Sequence, residues 1–175
     1  IMLALLRLLY LTYRPHDAVM GWVHGIDGQV EIEQYPTART LPGLVIYRFD
    51  APILFFNADY FKQRLLDVVA QAPNARAVLL NAEGILNLDI SGLTTLREVQ
   101  QTLDAQGVHL SLARVTGETL AMLRRSGALG EVKPPLVFSS VRAGVNAYRR
   151  WHRQGKRKLA VNAPPSEAEL PDQPL

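Results

Sequence analysis

Apolar residues recur along the chain at two spacings, one typical of helices and one typical of buried strands. Between residues 58 and 71 they fall on one helical face, whereas residues 77–83 form an unbroken apolar run, as expected for a strand covered on both faces. Residues 29–35 alternate apolar and polar side chains, which predicts a short edge strand. The same patterns predict helices at 58–71, 90–106, 116–127 and 141–154, and strands at 44–50, 53–57, 77–83, 109–114 and 136–140.

Strands that alternate with helices of this length are typical of parallel strands joined by right-handed crossovers. Ala51 and Pro52 separate the first two strands, so this pair (44–50 and 53–57) is expected to form an antiparallel hairpin. The sequence therefore predicts an α/β sandwich. Its sheet is expected to be mostly parallel, with four to five strands and one antiparallel hairpin, and to be flanked by about four helices.

The chain divides into four predicted regions. Residues 1–13 are apolar with one interruption, and they are barely more than half as long as the about 20 residues needed to cross a bilayer. They predict either the end of a transmembrane helix or a helix packed on its own domain, and a start at Ile1 favours a fragment of a longer protein. Residues 14–42 predict a linker, residues 43–154 the folded domain, and residues 155–175 a basic and then disordered tail.

The net charge of +3 comes from one segment of the chain. Residues 148–158 carry six arginines and lysines and no acidic residue, whereas the part before them is neutral. A nucleic-acid partner is not expected, because a groove-binding protein spreads its basic residues over a folded surface. The cluster predicts either contact with an anionic membrane surface or a solvated helix end. Its members are Arg149, Arg150, Arg153, Lys156, Arg157 and Lys158.

The sequence lacks the residue patterns that are typical of catalysis. It has no cysteine, which excludes disulfides and thiolate chemistry, and it has no phosphate-binding glycine loop, zinc motif or nucleophile elbow. Its four histidines are not spaced as metal ligands, so neither a metal nor a cofactor is expected. A triad of Asp89, Ser91 and His109 is rejected, because a helix of about 17 residues, roughly 25 Å long, separates Ser91 from His109. We expect the chain not to be an enzyme.

The segment NLDISGLTTL, residues 87–96, places Asp89 and Ser91 where a strand ends and a helix begins. The first turn of a helix has unpaired backbone N–H groups, and either side chain can cap them. The same N–H groups favour a phosphate, although a phosphoserine would repel the Asp89 carboxylate. Ser91 is therefore expected to cap the helix, within a switch loop whose modification changes what the domain contacts.

Two segments resemble the junction between the last transmembrane helix and the cytoplasmic STAS domain of SulP-type anion permeases: RPHDAVMGWVHGID (14–27) and PGLVIYRFDAPILFFNADYFKQRLL (42–66). A third, NLDISGLTTLREVQQTLDAQGVHLSLARV (87–115), resembles the central STAS strand, phosphorylation loop, helix and following strand. The resemblance implies a STAS fold on the cytoplasmic face of the inner membrane, and a regulatory role for a carrier of sulfate, bicarbonate or dicarboxylates. The implied partners are the transmembrane domain of the same transporter, which holds the transport site, a cytosolic protein, and a second copy within the full transporter.

Asp89, Ser91 and Gly92 match the D-x-S-G pattern that carries the phosphorylated serine in anti-anti-sigma relatives. Asn81 departs from the family, since the resemblance implies an aspartate at the end of the central strand. Two other functions stay open, the second of them on the family resemblance alone. One is a soluble anti-anti-sigma-like phosphorylation switch, and the other is a module that binds a nucleotide or an acyl-carrier protein.

Overall fold

The computed structural model describes residues 2–127 and 137–161, with the backbone alone at 4–6, 8, 9, 11 and 155–161. Strands and helices alternate through most of this length, as predicted. The helices are α1 (Met2–Tyr13), α2 (Ala58–Ala70), α3 (Ile90–Ala105), α4 (Gly117–Arg125) and α5 (Val141–Val161). The strands are β1 (Asp17–Gly21), β2 (Val30–Glu31), β3 (Leu44–Phe49), β4 (Ala77–Asn81), β5 (His109–Ala113) and β6 (Val137–Phe138).

The strands form one sheet in the order β2-β1-β3-β4-β5-β6. β3, β4, β5 and β6 run parallel to one another, whereas β1 runs antiparallel to both β3 and β2. The predicted α/β class with a mostly parallel sheet is confirmed. The six strands exceed the four to five that the sequence predicts, because the chain before β3 contributes two of them.

The predicted hairpin between residues 44–50 and 53–57 is wrong. Instead of a second strand, the Asn57 side chain closes a turn, accepting from the Leu54 N–H at 2.8 Å and donating to the Pro52 carbonyl at 2.9 Å. Ile53 forms a parallel bridge with Leu88 in a distant loop. The apolar residues of this turn are therefore not paired as a strand: Ile53 is buried in the core, and Phe55 is exposed.

The antiparallel partner of β3 comes from the segment predicted as a linker. β1 pairs with β3 across residues 17–19, so the folded domain begins well before residue 43. The short edge strand predicted within residues 29–35 is confirmed as β2. At the other end, α5 continues through Val161, past the predicted end at residue 154. Residues 162–175 of the predicted disordered tail lie outside the described residues.

Helices cover both faces of the sheet because the strand side chains alternate between two apolar cores. On β3, Val45, Tyr47 and Phe49 point into a core shared with α2, α3 and α4. Leu44 and Ile46 point into a second core, which is closed by α5. The predicted inward face of α2 is confirmed, since its four members are buried: Phe61, Leu65, Val68 and Val69.

A nearly buried carboxylate joins β1 to α2. The Asp17 side chain is 5% exposed and accepts hydrogen bonds from the Arg64 guanidinium, at 2.9 and 3.1 Å, and from the Tyr60 hydroxyl at 3.0 Å. The Tyr47 hydroxyl is also buried, and it has no hydrogen-bond partner among the described residues. Burial, reinforced by the negative charge of Asp17, raises the pKa of Tyr47. The cluster holds the first antiparallel strand against the parallel part of the fold.

The first and last helices, α1 and α5, lie at opposite edges of the sheet. We call the carboxyl edge the one where β3 to β6 end, and the amino edge the one where they begin. α1 reaches the carboxyl edge, where the Asp50 N–H donates to the His16 carbonyl at 3.0 Å. The second half of α5 lies at the amino edge, where the Tyr148 hydroxyl donates to the Pro42 carbonyl at 2.8 Å. None of the described helices is both long and apolar enough to cross a bilayer.

Candidate functional site

The loop between β4 and α3 lies at the carboxyl edge and ends in a charged helix cap. Asp89 has an extended backbone, and its Oδ1 accepts from the Gly92 N–H at 2.8 Å. The cap is therefore Asp89, and the prediction that Ser91 caps the helix is wrong. The physical reason is position: Ser91 is the second residue inside the helix, whereas a cap must precede the first turn.

The second carboxylate oxygen of Asp89 reaches a neighbouring loop. Its Oδ2 accepts from the Phe55 N–H at 2.8 Å, and the Ile53 N–H donates to the Asn87 carbonyl at 3.1 Å. Asp89 thus ties the loop after β3 to the loop after β4, in addition to capping α3. Hydrogen bonds to a charged acceptor are stronger than neutral ones, so these contacts give the site a fixed shape.

Gly92 allows these two loops to come together. It is buried in the first turn of α3, and a Cβ added there would lie 2.2 Å from the carbonyl oxygen of Ile53. Only a residue without a side chain fits so close to a backbone carbonyl. Gly84 meets the same constraint, because an added Cβ would lie 2.7 Å from both the Asp50 Cα and the Phe49 carbonyl oxygen.

Ser91 is exposed, and its side chain makes no hydrogen bond to the other described residues. Its hydroxyl is open to a modifying enzyme, and a phosphate attached to it would lie near the positive end of the α3 dipole. The Asp89 carboxylate two residues away would oppose that phosphate. A phosphate here would change the charge of the surface without disturbing the core.

Asn81 ends the central strand as a buried amide that is 5% exposed. Its Oδ1 accepts from the Glu83 N–H at 3.3 Å and so turns the backbone into the loop. An amide does this without placing an ionised group in the core, which is costly when no cation is nearby. The departure from the expected aspartate is therefore compatible with the same loop geometry.

The basic cluster lies far from Ser91, at the opposite edge of the sheet. Arg149, Arg150 and Arg153 are exposed on α5. Lys156, Arg157 and Lys158 lie on the same helix, and their side chains fall outside the described ones. The structure thus brings Asp89, Ser91 and Gly92 together in one turn and keeps the cluster apart from them.

A groove of about 510 Å³ also opens at the amino edge, between α5, the C-terminal part of α3 and the first residues of β4 and β5. Its apolar lining includes Leu110 and Phe138, and His109, Arg150 and Trp151 add polar and aromatic groups. Across residues 2–127 and 137–161, no three histidine or acidic side chains are placed to hold a metal ion.

Sequence reasoning missed three large apolar side chains that are exposed at the carboxyl edge: Phe55, Leu86 and Ile90. The predicted strand 53–57 includes Phe55, and the predicted helix 90–106 includes Ile90, but neither pattern shows that these side chains are exposed. The Asn57 turn is the signal that could have found the first of them, since asparagine is common where a chain reverses.

Comparison with known proteins gives one family and a set of transporters. The family model described as STAS domain matches residues 35–144. A probable sulfate transporter of Mycobacterium tuberculosis is 38% identical over 149 residues, which is 85% of this chain and 27% of the relative. The chain spans about a quarter of the length of the relatives it matches.

Two solved structures share the fold. The murine Solute Carrier 26 family member A9 anion transporter, in its inward-facing state, matches with a TM-score of 0.75 at 19% identity, over 85% of this chain and 24% of the transporter. The SulP transporter STAS domain of Vibrio cholerae matches with a TM-score of 0.56 at 18% identity, over 70% of this chain and 94% of that domain. At these identities the likeness concerns the fold alone.

Proposed function

The chain belongs to the STAS domain family, and from this premise we propose that it is the cytoplasmic regulatory domain of a SulP-type membrane anion transporter. The observation that carries the proposal is the match to the mycobacterial probable sulfate transporter. That match is longer than the stretch 35–144 covered by the family model, so the similarity extends beyond the STAS domain proper.

The solved structures support the same proposal. The fold match covers 70% of this chain for an isolated STAS domain and 85% for an intact transporter. The apolar helix α1, with Met2 and Leu3 largely exposed, is suited to a surface that a lone soluble domain does not have. This exposure favours the first of the two interpretations of residues 1–13. We therefore take α1 as the end of the last transmembrane helix.

In this proposal the chain itself carries no transport site and performs no catalysis. It acts through contacts, and the membrane domain binds the anion. Sulfate is the first candidate because the matched relatives are named as sulfate transporters. Bicarbonate and dicarboxylates are the alternatives that the family resemblance implies.

The test is uptake of labelled sulfate by proteoliposomes that contain the full-length protein, with bicarbonate and a dicarboxylate as competing anions. We expect uptake of at least one of these anions and a changed rate when residues 14–161, which include β1 and β2, are removed. A reading frame without membrane-spanning segments beside this chain, or a full-length protein that takes up none of the three anions, would contradict the proposal.

A negative charge at Ser91 is expected to change the transport rate. Ser91 is exposed and does not cap α3, so neither Ser91→Ala nor Ser91→Glu should reduce expression of the intact transporter. Glutamate imitates part of the charge of a phosphate next to Asp89, whereas alanine does not. We therefore expect Ser91→Glu alone to alter sulfate uptake, measured in the same proteoliposomes.

Thr94→Glu is the matched control, since Thr94 is exposed one turn further along α3. It adds the same charge to the same helix away from the Asp89 cap. If Ser91→Glu transports like Ser91→Ala, or if Thr94→Glu has the same effect, Ser91 is not a switch.

The basic cluster is expected to add affinity of the purified chain for anionic vesicles, although it lies at the amino edge, away from α1. Each cation near an anionic surface contributes about 1 kcal/mol, so contact by only half of the six cations already gives about 3 kcal/mol, and changing all six residues to glutamine should weaken binding at least about a hundredfold. Raised salt should also weaken the binding of the unmodified chain to anionic vesicles, because salt screens the same charges. Sedimentation with anionic vesicles measures the effect, and neutral vesicles separate it from any contribution of α1. Unchanged binding after neutralisation would exclude a lipid contact for the cluster.

A further inference from the structure

We propose that Phe55, Leu86 and Ile90 form a docking patch for the cytoplasmic face of the membrane domain of the same transporter. The inference rests on the proposed function and adds the surface through which it operates. The occupant to which we commit is a cytoplasmic loop that presents an apolar side chain flanked by lysine or arginine.

The three side chains are unusually exposed for their size. Phe55 is 74% exposed, Leu86 61% and Ile90 83%, although the chain has two large apolar cores available. Single exposed apolar residues are common, but a group of three large ones on adjoining loops marks an interaction surface. We call this group the apolar patch.

Hydrogen bonds hold the patch in a fixed shape. The Phe55 N–H is bound by the Asp89 carboxylate, which also starts the helix that carries Ile90. The Leu86 carbonyl accepts from the Thr119 hydroxyl at 3.1 Å, which fixes the loop against α4. A surface that is ordered before binding loses little entropy on binding, as a permanent contact within one protein requires.

The patch lies at the edge of the sheet that faces α1. The loops that carry Phe55 and Leu86 follow β3 and β4, so both lie at the carboxyl edge. β1 runs antiparallel to β3, and the hydrogen bond between Asp50 and His16 places the junction with α1 at the same edge. If α1 is the end of the last transmembrane helix, the membrane domain lies on the side of the patch.

The charge around the patch suits a basic partner. Asp59 is exposed in the first turn of α2, and neither it nor Asp89 has a cationic partner among the described residues. Arg114, the cation beside the β4–α3 loop, is already paired with Glu83. Cytoplasmic loops of membrane proteins carry an excess of lysine and arginine, which complements these carboxylates.

Photo-crosslinking in the full-length protein tests the patch. Benzoylphenylalanine at Leu86 is expected to crosslink to cytoplasmic loops of the membrane domain, identified by mass spectrometry of native membranes. Adding Phe55→Ser and Ile90→Ser should lower the crosslinked fraction about tenfold, as when apolar anchors of an interface are removed. The matched control is benzoylphenylalanine at Ile26, which is 41% exposed in the loop after β1 at the amino edge and should give no such crosslink.

The outcomes separate this inference from the function on which it rests. In a protein that transports its anion, crosslinks from position 86 to lipid, to a second STAS domain or to nothing would overturn the docking patch and leave the proposed function standing. Equal crosslinking from positions 86 and 26 would overturn it as well. A full-length protein that transports none of the tested anions would refute the proposed function, and this inference with it.

Discussion

Gly92→Ala is expected to destabilise the chain by about 3 kcal/mol, the upper range for forcing extra volume into a packed site. An added Cβ would lie 2.2 Å from the Ile53 carbonyl oxygen, which is backbone and cannot turn aside as a flexible side chain can. Relief requires the loop after β3 to move away from α3. That movement also breaks the hydrogen bond between the Phe55 N–H and Asp89. Urea unfolding of the purified chain measures the loss.

Gly117→Ala provides the control, because an added Cβ at the first residue of α4 meets no atom within 4 Å. Alanine also restricts the unfolded chain more than glycine does, so this variant should be neutral or more stable by up to about 1 kcal/mol. If Gly92→Ala proves as harmless as Gly117→Ala, the close approach between α3 and Ile53 does not exist in solution.

The contrast between these two glycines shows where sequence reasoning ends. Periodicity predicted α3 to within one residue, because the burial of Leu96, Val99 and Leu103 follows directly from apolar spacing. The motif placed Asp89 and Gly92 at the start of the helix, but Ser91 was given the capping role that Asp89 performs. Which of two nearby polar side chains caps a helix depends on where the first turn begins. The predicted start at residue 90 is correct and by itself places the cap at Asp89, so giving the cap to Ser91 did not follow from the predicted helix.

The prediction of a strand at residues 53–57 was wrong for a different reason. The apolar run from Ile53 to Phe56 has the composition of a strand, and composition does not show that a distant side chain, Asp89, binds the backbone at Phe55. The pairing of β1 with β3 was equally hidden, since β1 is short and lies among glycines and prolines. Both features depend on contacts between segments far apart in the chain, which local pattern does not report.

Asp17→Ala is expected to lower the free energy of unfolding by about 2 kcal/mol, because it leaves Arg64 and Tyr60 without the carboxylate that both bind. Breaking a fully buried ion pair typically costs about 3–5 kcal/mol, and the lower figure reflects the Arg64 side chain, which is 33% exposed and stays partly hydrated. The loss should appear in urea unfolding of the purified chain. It should also loosen β1, which hydrogen exchange of its backbone amides would detect.

Glu98→Ala separates this effect from the general loss of an ion pair. Glu98 pairs with Lys62 on the surface, where both side chains are at least one third exposed, and such pairs contribute about 0–1 kcal/mol. Glu98→Ala should therefore leave the protection of β1 unchanged. Equal losses of unfolding free energy for Asp17→Ala and Glu98→Ala would mean that Asp17 is no more than another surface charge. A larger loss of unfolding free energy for Asp17→Ala, together with faster hydrogen exchange in β1, would instead identify Asp17 as the residue that fixes the junction between α1 and the sheet.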